Sequence, residues 1–486
     1  MSNENTAVRQ HNVRTRFAPS PTGFMHIGNL RTGLYAWLFA RKNGGGFILR
    51  IEDTDLKRYV KGATDLIYRT LESVGIDYDE GPDKGGPRGP YVQSERKEIY
   101  QKYAHELVEK GGAYYCFCTK ERLEELHKGG AAKYDKHCLN LDKKEIQKRL
   151  KSGEPYVIRQ NIPAEGRTTY TDLVFGDITI DNKELEDNVL LKSDGMPTYN
   201  FANVIDDRLM GVTYVIRGIE YLSSTPKYNH LYKSFGWELP QYIHLQPIMK
   251  DARKKLSKRY GDANYEDFIK RGFLKETIVN YIALLGWNPK DTKEKFTLAE
   301  LKDAFSLAGI SKSPSIFDET KMRWLNSLYI KELPREEFNK FAYPWYDKSC
   351  AAGKYDYALL SNLLQSRIEI FSELPEKLKF LDEFKDYDTA LYIHEKNKTD
   401  VETAKTLLPL IAKELESVSD FKNAVIFERL APLAAARSMK PAALFWVMRV
   451  AISGKASTPG GATELAELLG KTETLERLKY STERLR

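Results

Sequence analysis

Two short stretches, far apart in the chain, carry residues suited to handling phosphate. The first reads Ala18-Pro19-Ser20-Pro21-Thr22-Gly23 and then His26-Ile27-Gly28-Asn29. The prolines fix φ, Gly23 permits a tight turn, and the turn delivers His26 to a helix start. Unpaired N–H groups and the helix dipole favour an anion at such a start. An imidazole there can donate to phosphate oxygens, and the missing side chain at Gly28 lets a flat purine lie against the backbone. The second stretch, KDARKKLSKR, contains Lys250, Arg253, Lys254 and the run Lys255-Leu256-Ser257-Lys258-Arg259. On a flexible loop its ammonium groups neutralise charge moving onto β- and γ-phosphates as pyrophosphate leaves, chemistry that needs positioning and electrostatics rather than a protein nucleophile. Taken singly, the first motif also describes an ordinary capped helix and the second an ordinary solvated run.

A third cluster has metal-ligand character. Cys116-Phe117-Cys118 is followed by Tyr134 and Cys138, which gathers three of the four cysteines in one segment. Paired thiolates on a hairpin and a third from a returning segment suit a structural zinc, which takes four N, S or O ligands in a closed tetrahedron. Tyr134 is the fourth candidate; tyrosinate is an uncommon ligand, so His137 and His127 stand beside it. The competing reading is a set of small buried hydrophobes with an incidental tyrosine.

A parallel sheet must position the phosphate loop. Val13 to Phe17 (VRTRF) alternates like a strand, Leu30, Leu34, Trp37 and Leu38 recur at helical spacing until Gly44-Gly45-Gly46, and Phe47 to Ile51 (FILRI) restarts an apolar strand. These read as a right-handed βαβ unit with its ligand crevice at the strand C-termini. From about Tyr91 to Asp194 the pattern changes to that of an insertion. A second sheet-like stretch follows, with Thr213 to Arg217 (TYVIR) as its clearest strand, before a helix-rich remainder from about Tyr242.

At 486 residues and 55.8 kDa the chain exceeds one hydrophobic core, so roughly three to five packed units are expected. With 42% hydrophobic and 12% aromatic residues, wholesale disorder is excluded. A net charge of +7 and a pI near 8.8 are compatible with a polyanionic partner without requiring one. The first dozen residues lack the apolar core of a signal peptide, and the apolar run AALFWVMRVAIS is short and broken by Arg449, so no membrane segment is expected. Four cysteines are too few for a disulfide framework here, which suits a cytoplasmic location. No G-x-G-x-x-G fingerprint is present, which argues against a dinucleotide cofactor.

The strings RFAPSPTGFMHIGN, IEDTD and KLSKR, in this order, resemble class I aminoacyl-tRNA synthetases, and specifically their bacterial-type glutamyl branch. So do EGPDKGGPRGPYVQSER, LLKSDGMPTYNFANVIDD, FDETKMRWLN and the tail around LLGKTETLERL, and the likeness covers nearly the whole chain. Matched residue by residue, His26 and Gly28 occupy the first and third places of the H-I-G-H signature, with Asn29 in place of its second histidine, as is usual in the glutamate branch. Lys255 and Lys258 match the lysines of the K-M-S-K-S loop. The resemblance implies an ATP site from Pro19, Thr22, Gly23, His26, Gly28, Asn29, Glu220, Leu256, Ser257, Lys258 and Arg259, with Mg accompanying ATP. His26, Gly28, Asn29, Lys255 and Lys258 are the implied catalytic set, Lys258 being the first choice for stabilising the adenylation transition state. Where similar sequences often carry a second acidic residue, this one has Ile219.

A γ-carboxylate is best held by a planar guanidinium donating two parallel hydrogen bonds, which lysine cannot copy. The family places its glutamate-binding arginines at the positions of Arg16 and Arg217, both at strand ends. Glu52 matches the acceptor of the substrate ammonium group; Ala18, Ser20, Tyr199 and Asn203 match positions lining the same pocket. Some members hold zinc at the C-x-C…Y-x-x-x-C arrangement of Cys116, Cys118, Tyr134 and Cys138.

The implied architecture is α/β: a Rossmann-like parallel-sheet catalytic domain in two halves (12–90 and 195–241), an inserted α+β connective domain (91–194), a stem-contact domain with the KLSKR loop (242–334) and an all-α anticodon-binding domain (335–486). The last contains Arg367, Arg429, Arg437 and Arg449 among aromatic residues, a composition suited to stacking on unstacked RNA bases. The partners implied are tRNA(Glu), ATP and L-glutamate, with neither DNA nor membrane, for a chain acting as a monomer. The alternatives are a member that also charges tRNA(Gln), or a glutaminyl relative, whose β-barrel anticodon reader the helical last third does not suggest. A silent, RNA-binding paralogue would not require His26, Gly28, Lys255 and Lys258 together.

Overall fold

The computed structural model describes residues 13–55, 60–128, 130, 133–256 and 264–486. The chain divides into two compact units, Met1–Phe268 with Ile278–Asp318, and Ile269–Thr277 with Glu319–Arg486. The first unit begins with β1 (Arg14–Phe17), α1 (Ile27–Lys42) and β2 (Gly46–Leu49). β1 and β2 pair in parallel, Arg14 opposite Gly46 and Phe17 opposite Leu49, so the expected βαβ unit is present. α1 forms because Leu30, Leu34, Trp37 and Leu38 fall on a face that can be buried. It stops where Gly44 takes φ 63°, the left-handed conformation that closes helices.

α2 (Ala63–Ser73) and α3 (Lys97–Glu109) lead into β3 (Ala113–Cys116), α4 (Lys120–Lys128), α5 (Lys143–Lys151), β4 (Val157–Gln160), β5 (Arg167–Asp172), β6 (Gly176–Asp181) and β7 (Val189–Leu191). α6 (Tyr199–Leu209), β8 (Tyr214–Gly218), α7 (Thr225–Phe235) and β9 (Gln241–Leu245) follow. β3, β4 and β7 make a small antiparallel sheet. The main sheet runs β6-β5-β9-β8, with β8 and β9 parallel, and Thr213 N–H donates to Arg14 O at 2.9 Å, bringing β1 alongside β8. Residues 167–181 lie within the inserted segment in sequence, yet their hairpin extends the main sheet, Asp172 pairing with Tyr242. Strand pairing is non-local, so sequence position alone does not reveal it.

The second unit is helical, with Glu319–Glu332, Arg335–Tyr346, Val401–Glu416, Asn423–Ala435, Pro441–Ser453 and Ala462–Arg484 among its helices. Leu408, Ile411, Leu444, Val447, Leu465 and Leu478 are part of its core. The apolar run AALFWVMRVAIS belongs to the helix Pro441–Ser453, whose Leu444, Val447 and Met448 are buried there. No described helix is long and apolar enough to cross a membrane.

Candidate active site

A cleft of ≈ 850 Å³ opens in the first unit, walled by residues at or just beyond the carboxyl ends of β1, β2, β8 and β9 and by the start of α1. Strand ends of a parallel sheet leave loops and main-chain groups to meet a ligand, which is why crevices form there. Arg16, Ala18, Pro19, Ser20, Thr22, His26, Gly28, Asn29, Glu52, Tyr199, Arg217, Glu220 and Lys255 line it. Three expected residues do not. Asn203 is buried along α6, its amide donating to Tyr199 O at 2.6 Å. Gly23 occupies the preceding turn at φ 110°, a conformation other residues rarely adopt. Leu256 is buried with its N–H bonded to Ile248 O. Ser257, Lys258 and Arg259 lie outside the described residues.

Arg16 and Arg217 reach the cleft from β1 and β8, each 5% exposed. Arg16 Nε donates to Asp207 Oδ1 at 3.0 Å and Nη1 to Ile216 O at 2.9 Å. Arg217 Nε donates to His244 Nε2 at 3.1 Å and Nη2 to Thr225 Oγ1 at 2.7 Å. With five donors each, both guanidinium groups are anchored and keep N–H groups for a ligand.

Glu52 is held from behind by Arg50, whose Nη2 and Nε donate to Oε1 at 2.9 and 3.3 Å. Arg50, 0% exposed, also donates to Asp207 Oδ1 at 2.7 Å and lies 3.7 Å from Asp206 Oδ2. Asp206 accepts from Arg96 Nε at 2.7 Å, from Gln93 and from Tyr100. Three guanidinium groups thus neutralise three buried carboxylates, which offsets the several kcal/mol that burying each ion costs. Burial pushes the Glu52 carboxyl above the ordinary range, Arg50 pulling the other way without cancelling it. Burial pushes Asp207 up as well, but Arg16 and Arg50 outweigh it and hold that carboxyl below its usual range. Sequence reasoning missed Arg50, Asp206 and Asp207, although Arg50 stands inside the apolar run FILRI. A charge in an otherwise buried strand requires a partner.

His26 caps α1, its Nδ1 accepting from Gly28 N–H at 3.0 Å. A neutral ring that accepts at Nδ1 carries its proton on Nε2, where it can donate to an anion. A Cβ at Gly28 would come 3.0 Å from His26 Nδ1, so the glycine protects this cap besides leaving the backbone bare. Met249 bridges to Lys255, and Asn264 bridges to His26; both described flanks of residues 257–263 therefore lie against elements of the cleft.

Away from the cleft, the Sγ atoms of Cys116, Cys118 and Cys138 lie within 4.8 Å of one another, a group that could hold a metal. Tyr134 Oη lies 3.4 and 3.3 Å from Cys116 and Cys118 Sγ. Arg159 Nε donates to Cys116 Sγ at 3.4 Å, its guanidinium 4.2 Å above the Tyr134 ring. Sulfurs bound at about 2.3 Å in a tetrahedron stand about 3.8 Å apart, so the donor set fits zinc, and Arg159 offsets the excess negative charge of three thiolates. A hydrogen bond with Cys138 is the main cause that brings the Cys116 thiol down to about 4; burial opposes it, and Tyr134 and Arg159 assist. His137 is exposed, and the side chain of His127 lies outside the described residues.

Residues 12–324 match the family of tRNA synthetases class I (E and Q), catalytic domain, and residues 329–482 match the anticodon binding domain. The chain is 55% identical over 478 residues to a glutamate–tRNA ligase of Clostridium novyi, covering 98% of each. It is 54% identical over 479 residues to one of Clostridium kluyveri, again covering 98% of each. Its structure is similar to that of a glutamate tRNA ligase from Elizabethkingia meningosepticum in complex with its amino acid, with a TM-score of 0.87 and 34% identity over 98% of this chain and 100% of the other.

Proposed function

The chain belongs to the class I tRNA synthetases of the E and Q type, and from that premise we propose how its cleft carries out the reaction. That reaction is the ATP-dependent ligation of glutamate to tRNA. L-Glutamate rests its γ-carboxylate on Arg16 and Arg217 and its ammonium group on Glu52, beside Ala18, Ser20 and Tyr199, with Asn203 supporting Tyr199 from behind. ATP lies on the start of α1, against Pro19, Thr22, His26, Gly28 and Asn29 after the Gly23 turn, with Glu220 beside the nucleotide; Mg²⁺ would accompany ATP and offset part of its phosphate charge. The substrate α-carboxylate attacks the α-phosphorus and pyrophosphate leaves as glutamyl-adenylate forms. Lys255, with Lys258 and Arg259 of the same run, neutralises the charge that develops. A hydroxyl at the tRNA 3′ end then attacks the activated carbonyl, and AMP leaves.

The observation that carries this reading is the convergence of Arg16 and Arg217, from β1 and β8, on a cleft that also holds Glu52 and the capped start of α1. Aminoacylation with purified glutamate and glutamine acceptors side by side tests it. Glutamate is expected on tRNA(Glu); glutamate on tRNA(Gln) as well would mark a broader specificity, and charging with glutamine would overturn the reading. Bound tRNA completes the site, so pyrophosphate exchange with glutamate stays near background until tRNA is added. Robust exchange without it would contradict that role.

The raised Glu52 carboxyl has a consequence for substrate binding. The substrate ammonium group needs Glu52 ionised, so the KM for glutamate rises as pH falls through the raised Glu52 value, while the substrate's own carboxyls are still ionised. Glu52→Gln removes this pH dependence and leaves KM high throughout. A glutamate KM that stays flat on acidification of the native enzyme would refute the assignment.

Residues 12–90 and 195–241, with the β5–β6 hairpin and β9 that complete their sheet, serve as the catalytic domain, the rest of 91–194 as the acceptor-end insertion, the rest of 242–334 as the stem contact and 335–486 as the anticodon reader, in a cytoplasmic monomer that binds neither DNA nor membrane. Cys116, Cys118, Cys138 and Tyr134 hold one structural zinc that ties β3 to the returning segment. Elemental analysis of chelator-free protein is expected to give about one zinc per chain, and Cys138→Ser to lose it. A fully folded, metal-free preparation would refute the site.

A further inference from the structure

Three neighbouring strands present a row of buried polar side chains, two of which, Asp172 and His244, substrate contact does not account for. Asp172 closes β5, His244 lies near the end of β9 and Arg217 near the end of β8; β9 runs between the other two and sets His244 opposite Arg217. Asp172 and His244 are 1% and 0% exposed. His244 Nδ1 lies 2.7 Å from Asp172 Oδ2, and that carboxylate is pinned further by the N–H groups of His244, Val174 and Phe175. On its other side His244 Nε2 accepts from Arg217 Nε at 3.1 Å.

Donor and acceptor chemistry selects one form of the ring. A carboxylate only accepts, so Nδ1 carries the proton; a guanidinium only donates, so Nε2 is bare. Burial lowers the affinity of His244 for a second proton, against the pull of Asp172. Arg217 Nη2 is held by Thr225 Oγ1, which itself donates to Tyr221 O. Its Nε and Nη2 are thereby engaged, and among the described residues no group accepts from Nη1.

We propose that Asp172 and His244 are positioning residues that set the plane of the Arg217 guanidinium so that its remaining N–H groups meet the substrate γ-carboxylate, an inference that rests on the reading of Arg217 given above. Asp172 selects the imidazole tautomer, and the imidazole orients the arginine. Without His244 the guanidinium keeps one hydrogen bond, to Thr225 Oγ1, and its contacts with the Tyr221, Tyr228 and Tyr242 rings; a single hydrogen bond leaves rotation about it open, so the pair of donors presented to the carboxylate is less well fixed.

Steady-state aminoacylation at saturating tRNA and ATP tests this with His244→Leu, His244→Gln, Asp172→Asn and Arg217→Gln. The leucine variant is expected to raise the glutamate KM about tenfold or more, with kcat and the KM for ATP changed by less than about threefold. Asp172→Asn, which lets the ring take its other tautomer, raises the glutamate KM in the same way. The glutamine variant, whose Oε1 can accept in place of Nε2, recovers most of the loss. Imidazole ¹⁵N spectra of the native enzyme are expected to show His244 protonated on Nδ1 and bare on Nε2, a readout that needs no variant to fold.

An unchanged glutamate KM in His244→Leu, with a raised one in Arg217→Gln, defeats the relay alone. An unchanged KM in Arg217→Gln defeats both the relay and the reading beneath it. A glutamine variant no better than leucine, or an Nε2-protonated ring, also overturns the proposal.

Discussion

Replacing Lys258 by alanine lowers glutamyl-adenylate formation by about 10²- to 10³-fold, the range seen when one preorganised electrostatic contact to developing charge is removed. Adenylation supplies the protein with little covalent work; charge accumulates on the departing pyrophosphate, and an ammonium group placed there acts more strongly in the transition state than on bound ATP. Lys258 lies outside the described residues, but Lys255 of the same run lines the cleft. Pyrophosphate exchange in the presence of tRNA measures the effect, and filter binding measures tRNA affinity, which is expected to change little because it sums many phosphate contacts. Adenylate formation within a few-fold of native would sink the assignment. A parallel loss of tRNA affinity would turn the lysine into an RNA contact instead.

Arg50→Met destabilises the catalytic unit by about 3–5 kcal/mol, because it strands Glu52 and Asp207 as buried carboxylates without their shared partner. Arg50 is 0% exposed and bonded to both. Breaking the more exposed pair of Arg429 with Glu414 by Arg429→Ala is the contrast, expected to cost no more than about 1 kcal/mol. Denaturant midpoints of the three proteins at neutral pH give the comparison; an Arg50→Met protein as stable as the arginine surface variant would show that the network carries no such load. The pH dependence has two opposite signs. Asp207 is depressed in the folded state, so its stabilisation is present at neutral pH and is lost only as pH falls through that depressed value. Glu52 is raised, so its ionised form weakens the fold at neutral pH, and acidification through the raised value relieves this. Mild acidification therefore relieves Glu52 before it costs Asp207, and Glu52→Gln removes the first effect alone.

The chain itself determined whatever depends on near neighbours. The βαβ unit follows from the period of two in VRTRF and the helical spacing of Leu30, Leu34, Trp37 and Leu38. The turn at Gly23 follows from residue type, and His26 caps α1 because an N-cap acts on the two or three residues after it. The cysteine segment was legible for the same reason, since Cys116 and Cys118 share one strand end. Residue type, strand-end position and the family resemblance together marked Arg16 and Arg217 as candidates, because only guanidinium matches a carboxylate with two donors.

Tertiary structure decided which buried charges meet. Arg50 finds Asp207, and Asp172 finds His244, across sequence separations that no local pattern encodes. Asn203, placed in the pocket by its motif, instead turns its amide to Tyr199 O. The β5–β6 hairpin, inside the insertion by sequence, completes the main sheet and so supplies Asp172. Strand register across the sheet selects these partners. In a dry interior each ion must find its counter-charge, and that requirement is met through space rather than along the chain.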